Sequence, residues 1–250
     1  MVESGRTRWP RVGAGWYHPG MPRQEASPTY FQLTRDLWVS LVLVLPMLIV
    51  YQLGLLLIQF RVVNGADLLT QLVYPRFGVR GVVLANLIVT AIFLGAIIRL
   101  ERQRRFRPVL FLPLIAESTL YASLLGSVIV FVMRKTYLLA GPLTSVVLSI
   151  GAGVNEELLF RLVLLSVLMY VFFDFFGLRE SVAFAIAALF SAFAFSAAHY
   201  VGRYGDPFAA ESFGYRAIAG LIFALIYRYR SFAVAVYTHS IYDIIVLAIP

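Results

Sequence analysis

Seven long apolar stretches dominate the sequence and constrain its fold more than any other feature. They lie at about Leu37–Phe60, Val79–Ile98, Val109–Met133, Leu143–Phe173, Ser181–Val201, Phe213–Tyr227 and Phe232–Ile249. A helix needs about 20 mostly apolar residues to cross the hydrocarbon core of a bilayer. Only helices and closed barrels satisfy their backbone in lipid, and continuous apolar runs lack the alternation of barrel strands. The sequence therefore predicts an all-α, polytopic transmembrane helix bundle of about seven spans.

Composition supports a membrane protein and excludes two kinds of chemistry. Hydrophobic residues make up 60% of the chain and charged residues 14%, whereas soluble domains carry about 25% charged residues. The sequence has no cysteine, which excludes disulfides and thiolate catalysis. We predict a transmembrane helical domain over residues 35–250. It follows a loosely ordered basic tail over residues 1–34, which lacks the apolar core of a signal peptide.

The basic residues cluster beside the ends of the predicted spans. A seven-span arrangement places 13 of the 21 Lys and Arg residues on the side of the N-terminus. Because cytoplasmic loops carry such an excess, we predict a multi-pass protein with a cytoplasmic N-terminus. Because the basic residues cluster in this way, we attribute the net charge of +8 to membrane topology. We therefore predict membrane lipids, and no nucleic acid, as partners.

The fourth apolar stretch is too long for a simple crossing. As one helix, Leu143–Phe173 would measure about 46 Å, against roughly 30 Å for the bilayer core. It would have to tilt, project into water, or break at Gly151–Gly153. A break would give eight spans and would change the topology downstream.

A few ionisable residues lie inside the predicted spans and away from their ends. They are Glu117, Glu156, Glu157, Arg161, His199, His239 and Asp243. A charge at the centre of a span costs about 2.5–3.5 kcal/mol even on the most lenient scale. Such residues need partners or water, and function is the default hypothesis for them.

Helical spacing predicts which of these residues share a face. Glu157 and Arg161 are four residues apart, so they can pair directly. Glu156 points about 100° away from Glu157. His239 and Asp243 also have this spacing, so the aspartate can orient the imidazole or share a bound water with it.

The other histidine within a predicted span lies in "FSAAH", in which Phe195 and His199 are four residues apart. An aromatic ring at that spacing can pack beside the imidazole and hold its rotamer. A lone buried histidine is more often a packing residue, and the Glu157–Arg161 pair would also serve as a structural clamp. Glu117 stands alone, which suggests a structural or pocket-lining role, and Tyr227–Arg230 is typical of an interfacial anchor. The joint pattern on three separate late spans favours a catalytic site.

These groups suit the hydrolysis of a peptide bond by water. The chain has no cysteine and no Gly-x-Ser-x-Gly motif, so water is the better nucleophile, and a glutamate of suitable pKa deprotonates it. The two histidines would hold the water, donate to the oxyanion or protonate the leaving amine. A zinc site of Glu156, His199 and His239 with a water as fourth ligand uses the same residues. The residues alone leave the zinc and the metal-free mechanisms open.

Three short motifs in a fixed order resemble those of a known family. "EELLFR" fits EExxxR, "FSAAH" fits FxxxH, and "HSIYD" fits Hxxx(N/D). Together, over residues 143–249, they resemble the CAAX protease and bacteriocin-processing family, which includes the type II CAAX prenyl endopeptidases. The resemblance implies an intramembrane peptidase, and we favour a glutamate mechanism without a cofactor.

The resemblance also implies roles for individual residues. Glu156 would activate the water with His199 as its partner, and His239 and Asp243 would line the oxyanion side. Glu157, Arg161 and Phe195 would support them. Because an ionised aspartate accepts hydrogen bonds but does not donate them, Asp243 cannot bind an oxyanion as the asparagine found in many CAAX endopeptidases can.

We therefore predict an intramembrane endopeptidase that cuts a membrane-associated protein or peptide by CAAX-type or bacteriocin-type processing. A prenylated substrate is compatible with the sequence, although no residue pattern reports isoprenoid recognition. The alternative is a membrane scaffold or immunity protein, or a proton-coupled carrier, that uses the same buried polar groups.

Depth in the bilayer conflicts with part of this site. In the seven-span arrangement Glu156 lies about 20 Å from the outer end of its helix, and His199 lies about 27 Å from the inner end of its own. Direct contact between the two then requires tilt, a broken helix or a later helix start.

Overall fold

A computed structural model of the protein describes residues 28–58, 68–100, 106–132, 142–202 and 205–248. These residues form nine α-helices, one 3-10 turn and two π-helical segments, and none of them forms a strand. The α-helices are α1 (Tyr30–Thr34), α2 (Leu37–Leu57), α3 (Leu68–Leu100), α4 (Phe111–Val132), α5 (Pro142–Glu157), α6 (Ser166–Met169), α7 (Glu180–Ala198), α8 (Ala210–Tyr229) and α9 (Phe232–Ala248). The 3-10 turn is Pro108–Leu110, and the π-helical segments are Leu158–Leu165 and Tyr170–Phe175.

Six helical segments of the described chain are long and apolar enough to cross a membrane, and Phe232–Val246 is a shorter apolar helix. The six are Leu37–Leu57, Leu72–Leu100, Pro108–Leu125, Leu143–Phe175, Glu180–Ala198 and Ala210–Tyr229. Each coincides closely with one of the apolar stretches identified in the sequence. The prediction of an all-α polytopic bundle is confirmed.

The predicted alternative of a break at Gly151–Gly153 is wrong, because α5 runs through both glycines to Glu157. The helical path then continues as π-helix, a short helix and π-helix to Phe175. The glycines serve close packing instead. A Cβ on Gly151 would lie 2.1 Å from the Tyr51 ring, and one on Gly153 would lie 2.1 Å from Ser240 Oγ. These two positions therefore bring α5 against α2 and α9.

Helix α9 lies at the centre of the bundle. Every residue from Ser231 to Ser240 is buried, and α9 makes its most extensive contacts with α5 and α4. Helices α7 and α8 form a second tightly packed pair. The residues of α9 are therefore in position to meet side chains from α5, from α4 and from the α7–α8 pair.

Helix α3 lies at the periphery and is bent. Gly78 has φ of 59° and ψ of −158°, a left-handed conformation that glycine adopts without steric cost. Many large apolar side chains beyond the bend, such as Leu84 and Ile92, are exposed in the monomer, as expected for a helix that faces lipid.

The N-terminal part of the described chain is tied to the bundle. Most of the predicted tail, residues 1–27, lies outside the described residues, but Tyr30–Thr34 form α1, with a capping box from Thr29 and Gln32. Tyr30 donates a hydrogen bond of 2.6 Å to Glu117 of α4. Burial, reinforced by this hydrogen bond, raises the pKa of Tyr30, so the phenol stays protonated and donates at neutral pH.

Arg230, between α8 and α9, completes this contact. It donates to Glu117 through Nε and, at 2.7 Å, through Nη2, and its guanidinium lies 4.2 Å from the centroid of the Phe31 ring. Within Tyr227–Arg230, the predicted interfacial anchor, Arg228 also forms an ion pair with Glu180. We call Tyr30, Glu117 and Arg230 the N-terminal latch.

Candidate active site

The end of α5 places two buried glutamates beside a buried arginine. Glu156 and Glu157 are the last residues of α5, and Arg161 lies in the π-helical segment that follows. Arg161 Nε is 3.2 Å from Glu157 Oε2, and both side chains are fully buried. Arg161 Nη2 also donates to the carbonyl oxygen of Gly220 in α8 at 3.1 Å. Through this hydrogen bond to Gly220, Arg161 ties the ion pair to α8.

His239 of α9 lies close to three carboxylates, two from α5 and one from α9 itself. Its Nδ1 is 2.8 Å from Glu157 Oε1. Its Nε2 is 3.6 Å from Glu156 Oε2 and 3.7 Å from Asp243 Oδ2. The two longer distances exceed a direct hydrogen bond, and they bring two carboxylates to the same imidazole nitrogen.

Aromatic rings fix the position of this imidazole. Phe223 of α8 stacks on His239 with a centroid distance of 4.5 Å and an interplanar angle of 14°. Phe195 of α7 contacts His239 edge-on at 5.9 Å. The Arg161 guanidinium lies 4.6 Å from the centroid of Phe195, a cation–π geometry. Phe195 therefore contacts both the arginine and the imidazole.

His199 is the C-cap residue of α7 and is half-buried. Its Nδ1 is 3.0 Å from the carbonyl oxygen of Phe195, and its ring contacts the Phe195 ring edge-on at 5.1 Å. In the described part of the chain no hydrogen bond or ion pair joins His199 to Glu156. The structure thus brings together Glu156, Glu157, Arg161, His239 and Asp243, and Phe195 links His199 to them.

The hydrogen bonds assign the protons of both imidazoles. A carbonyl oxygen and an ionised carboxylate only accept hydrogen bonds. Nδ1 of His199, facing the Phe195 carbonyl, and Nδ1 of His239, facing Glu157, must therefore carry protons. Each Nε2 is then an acceptor when its ring is neutral and a donor when the ring is cationic.

Among the described residues, no group of three or more His, Asp or Glu side chains has positions suited to a metal ion. The choice between the zinc and the metal-free mechanism stays a prediction.

Several residues near the site carried no signal in the sequence. Phe223 is one of many apolar residues of α8, and nothing in its spacing predicts that it stacks on His239. Tyr215 and Tyr242 share a hydrogen bond of 2.6 Å between their hydroxyl groups, which ties α8 to α9 one residue before Asp243. In the sequence, Arg216, beside Tyr215, contributed only to the count of basic residues outside the spans.

Residues 139–245 match the model of a family described as type II CAAX prenyl endopeptidase Rce1-like. The matched segment contains the whole site from Glu156 to Asp243, and the match confirms the resemblance noted from the three motifs. No curated protein and no solved structure matches the chain. The matched family is a protease family. The described residues contain six helices long and apolar enough to cross a membrane, and the chain is an integral membrane protein.

Proposed function

We propose that this protein is an intramembrane endopeptidase that hydrolyses a peptide bond of a membrane-associated protein or peptide through a water activated by Glu156. The observation that carries the proposal is the approach of Glu156 and Asp243 to the same nitrogen of His239, at 3.6 and 3.7 Å. Polar groups at such separations are commonly bridged by a water. A water in reach of two carboxylates and an imidazole is well suited to attack a carbonyl carbon.

Glu156 is the general base in this mechanism. Its Oε2 faces His239, and its Oε1 is buried without a hydrogen-bond partner among the described residues. The carboxylate takes a proton from the water while the water oxygen bonds to the carbonyl carbon. The same proton then passes to the leaving nitrogen as the carbon–nitrogen bond breaks. Glu156 thus ends the reaction in the form in which it began.

His239 stabilises the charge that develops on the substrate oxygen. In its cationic form Nε2–H donates to the oxyanion, and Glu157 holds the ring through Nδ1. Donors fixed in a water-poor site are worth more than donors in bulk water. Because Glu157 contacts Arg161 and His239, the ion pair acts through the imidazole rather than on the substrate. Asp243 accepts from the water or from Nε2–H.

His199 supports the water from the side of α7. Because its Nδ1–H is used on the Phe195 carbonyl, its Nε2 accepts a hydrogen bond when the ring is neutral. We assign His199 a role in orienting the water, and the Phe195 ring, which contacts both histidines, would hold the two imidazoles in place.

The substrates would enter from the membrane. The family match supports a CAAX-type peptide, and bacteriocin-type processing follows from the wider resemblance. Membrane lipids surround the site, and a prenyl chain would hold a peptide at the bilayer. The N-terminal latch joins Tyr30 to Arg230, so α1 lies at the same end of the bundle as Arg228 and Arg230. The positive-inside rule supports a cytoplasmic location for that end.

Replacing Glu156 by Gln tests this function. The variant keeps the shape of the side chain and removes the base, so cleavage of a farnesylated CAAX peptide should fall by about 10²–10⁴-fold. Expression and thermal stability in detergent should stay near those of the unaltered protein. Equal cleavage by the variant would refute the mechanism. If a carrier used these groups instead, the variant would alter pH-dependent transport, while a scaffold or immunity protein would be indifferent.

A further inference from the structure

Arg216 of α8 forms an ion pair with Asp206 through only one of its two terminal nitrogens. Its Nη2 is 2.6 Å from Asp206 Oδ2, and the side chains are 23% and 51% exposed. An ion pair with so exposed a partner is weak and exchanges readily. Its Nη1, by contrast, is buried and has no hydrogen-bond partner among the described residues. A buried N–H without an acceptor carries a desolvation cost that a bound acceptor would relieve.

The surroundings of Arg216 belong to the candidate site. The backbone N–H of Asp206 donates to the carbonyl oxygen of His199 at 2.8 Å. The neighbouring Tyr215 is hydrogen-bonded to Tyr242, which precedes Asp243. Arg216 lies close enough to His199 and to Asp243 to act on both electrostatically. The guanidinium is thus beside the proposed site but outside its hydrogen-bonded cluster.

We propose that Arg216 binds the C-terminal carboxylate of the peptide substrate. This inference rests on the proposed endopeptidase function, and it narrows the substrates to peptides cut close to a free C-terminus. A guanidinium presents a planar fork of donors that matches a carboxylate. The released end of a CAAX-type peptide is three residues long, which spans about 10 Å when extended. A terminus so close to the scissile bond requires its cation near the catalytic groups, and Arg216 is linked to His199 through Asp206.

The charge balance of the site gives a second reason for this cation. Glu156, Glu157 and Asp243 bring three carboxylates together, and Arg161 is engaged with Glu157 inside the cluster. An anionic peptide terminus approaching these carboxylates would be repelled. Arg216, next to the exposed Asp206, would offset this repulsion between the peptide terminus and the three carboxylates. The substrate carboxylate would then replace or join Asp206 on the guanidinium.

The test compares two peptides that differ only at the terminus. The full chain is reconstituted in phosphatidylcholine vesicles with a fluorogenic, farnesylated peptide ending in Cys-Val-Ile-Met, as the free acid or as the carboxamide. We expect the unaltered protein to prefer the acid by about 10–100-fold in kcat/KM, mainly through KM, because hydrogen bonds to charged groups are the strong ones. In Arg216→Gln the ratio of acid to amide should fall to near 1. Arg216→Lys should restore part of the acid-to-amide ratio, because lysine keeps the positive charge and lacks the planar fork of donors.

Arg228→Gln is the matched control. Arg228 also lies on α8 and also pairs with a partly exposed carboxylate, that of Glu180, but at the other end of the helix. This variant should keep the acid-to-amide ratio of the unaltered protein. If Arg216→Gln lowers cleavage of both peptides by the same factor, the arginine only positions the site, and the inference is wrong. A preference that depends on Arg216 only in vesicles containing phosphatidylserine, equally for acid and amide, would assign the guanidinium to a lipid headgroup and would also overturn it.

A binding measurement separates this inference from the catalytic proposal. The same two peptides are titrated by fluorescence anisotropy against Glu156→Gln and against the double variant Glu156→Gln, Arg216→Gln. Tighter binding of the acid that disappears in the double variant supports the role of Arg216 even where cleavage is absent. Cleavage that depends on Glu156 but ignores the terminus leaves the peptidase standing and removes the carboxylate role. Absence of Arg216-dependent selectivity in both assays overturns the inference.

Discussion

Glu157 and His239 join α5 to α9 through a hydrogen bond of 2.8 Å between Oε1 and Nδ1. The other oxygen of the same carboxylate faces Arg161 at 3.2 Å. One carboxylate therefore fixes the imidazole and neutralises the guanidinium at once. The site depends on both contacts, because the first orients the His239 ring and the second holds the Glu157 carboxylate in place.

Arg161→Leu should unfold the protein more easily as well as inactivate it. The substitution leaves Glu157 fully buried without its counter-ion, and breaking a buried pair costs roughly 3–5 kcal/mol. Thermal unfolding in detergent and cleavage of a peptide substrate measure the two effects. Arg228→Leu is the control, because its ion pair is half-exposed and should contribute about 0–1 kcal/mol. Similar melting temperatures for both variants would contradict a structural role for the buried pair.

Gly153→Ala should disturb the contact between α5 and α9. The added Cβ would lie 2.8 Å from the backbone nitrogen of Ser240 and 3.0 Å from the carbonyl oxygen of Val236, and backbone cannot move aside as a flexible side chain can. Overpacking costs about 1–3 kcal/mol, and the displaced α9 would carry His239 away from Glu156. We expect a lower melting temperature and weaker cleavage.

Gly95→Ala on α3 is the control for this substitution. A Cβ at Gly95 meets nothing within 4 Å, so the change should be neutral or stabilise the helix by about 0.5–1 kcal/mol. Both substitutions raise helix propensity equally, so any difference between them measures packing. A Gly153→Ala protein as stable and active as Gly95→Ala would show that α5 and α9 are not tightly fitted.

Glu117→Gln should release α1 from the bundle. The carboxylate accepts from Tyr30 and from Arg230, and hydrogen bonds to charged groups contribute about 1.5–3 kcal/mol each. Hydrogen–deuterium exchange of the amides in Tyr30–Thr34 should become faster. Glu211→Gln, at an exposed position of α8, should leave that exchange unchanged. Equal protection of α1 in both variants would mean that the N-terminal latch does not hold this helix.

Cleavage should survive removal of metal ions. The mechanism proposed above uses Glu156 as base and His239 as the oxyanion donor, so it needs no metal ion. Purified protein treated with 1,10-phenanthroline and dialysed should keep its kcat, and elemental analysis should find less than one zinc per chain. Loss of activity that returns on addition of zinc would support the zinc alternative instead.

The helices were predictable because hydrophobicity alone defines them. The first span was expected at Leu37–Phe60 and is found at Leu37–Leu57, and the span after the bend at Gly78 was expected to begin at Val79. A sequence does not reveal that glycines at 151 and 153 serve packing, since a helix break and a close approach both favour glycine. The neighbouring side chains, Tyr51 and Ser240, come from distant parts of the chain.

The site was predictable where its contacts are local and was not predictable where they cross helices. The spacing of Glu157 and Arg161 follows from one helical turn, whereas the contact of Glu157 with His239 depends on how α5 packs on α9. Direct contact of Glu156 with His199 conflicted with the estimated depths in the bilayer. The nearest imidazole to Glu156 in the described part of the chain is that of His239. Helical periodicity carries no information about such distances.

Because α9 is central and buried, the site is complete only after this helix has been synthesised and has packed. This helix is synthesised after all the others described, yet it carries His239 and Asp243 and fills the interior around which α4 and α5 pack. A ribosome-bound chain that has inserted only the earlier helices holds Glu156 without its imidazole. In the proposed peptidase, activity would therefore begin only once α9 has been synthesised and packed against α4 and α5.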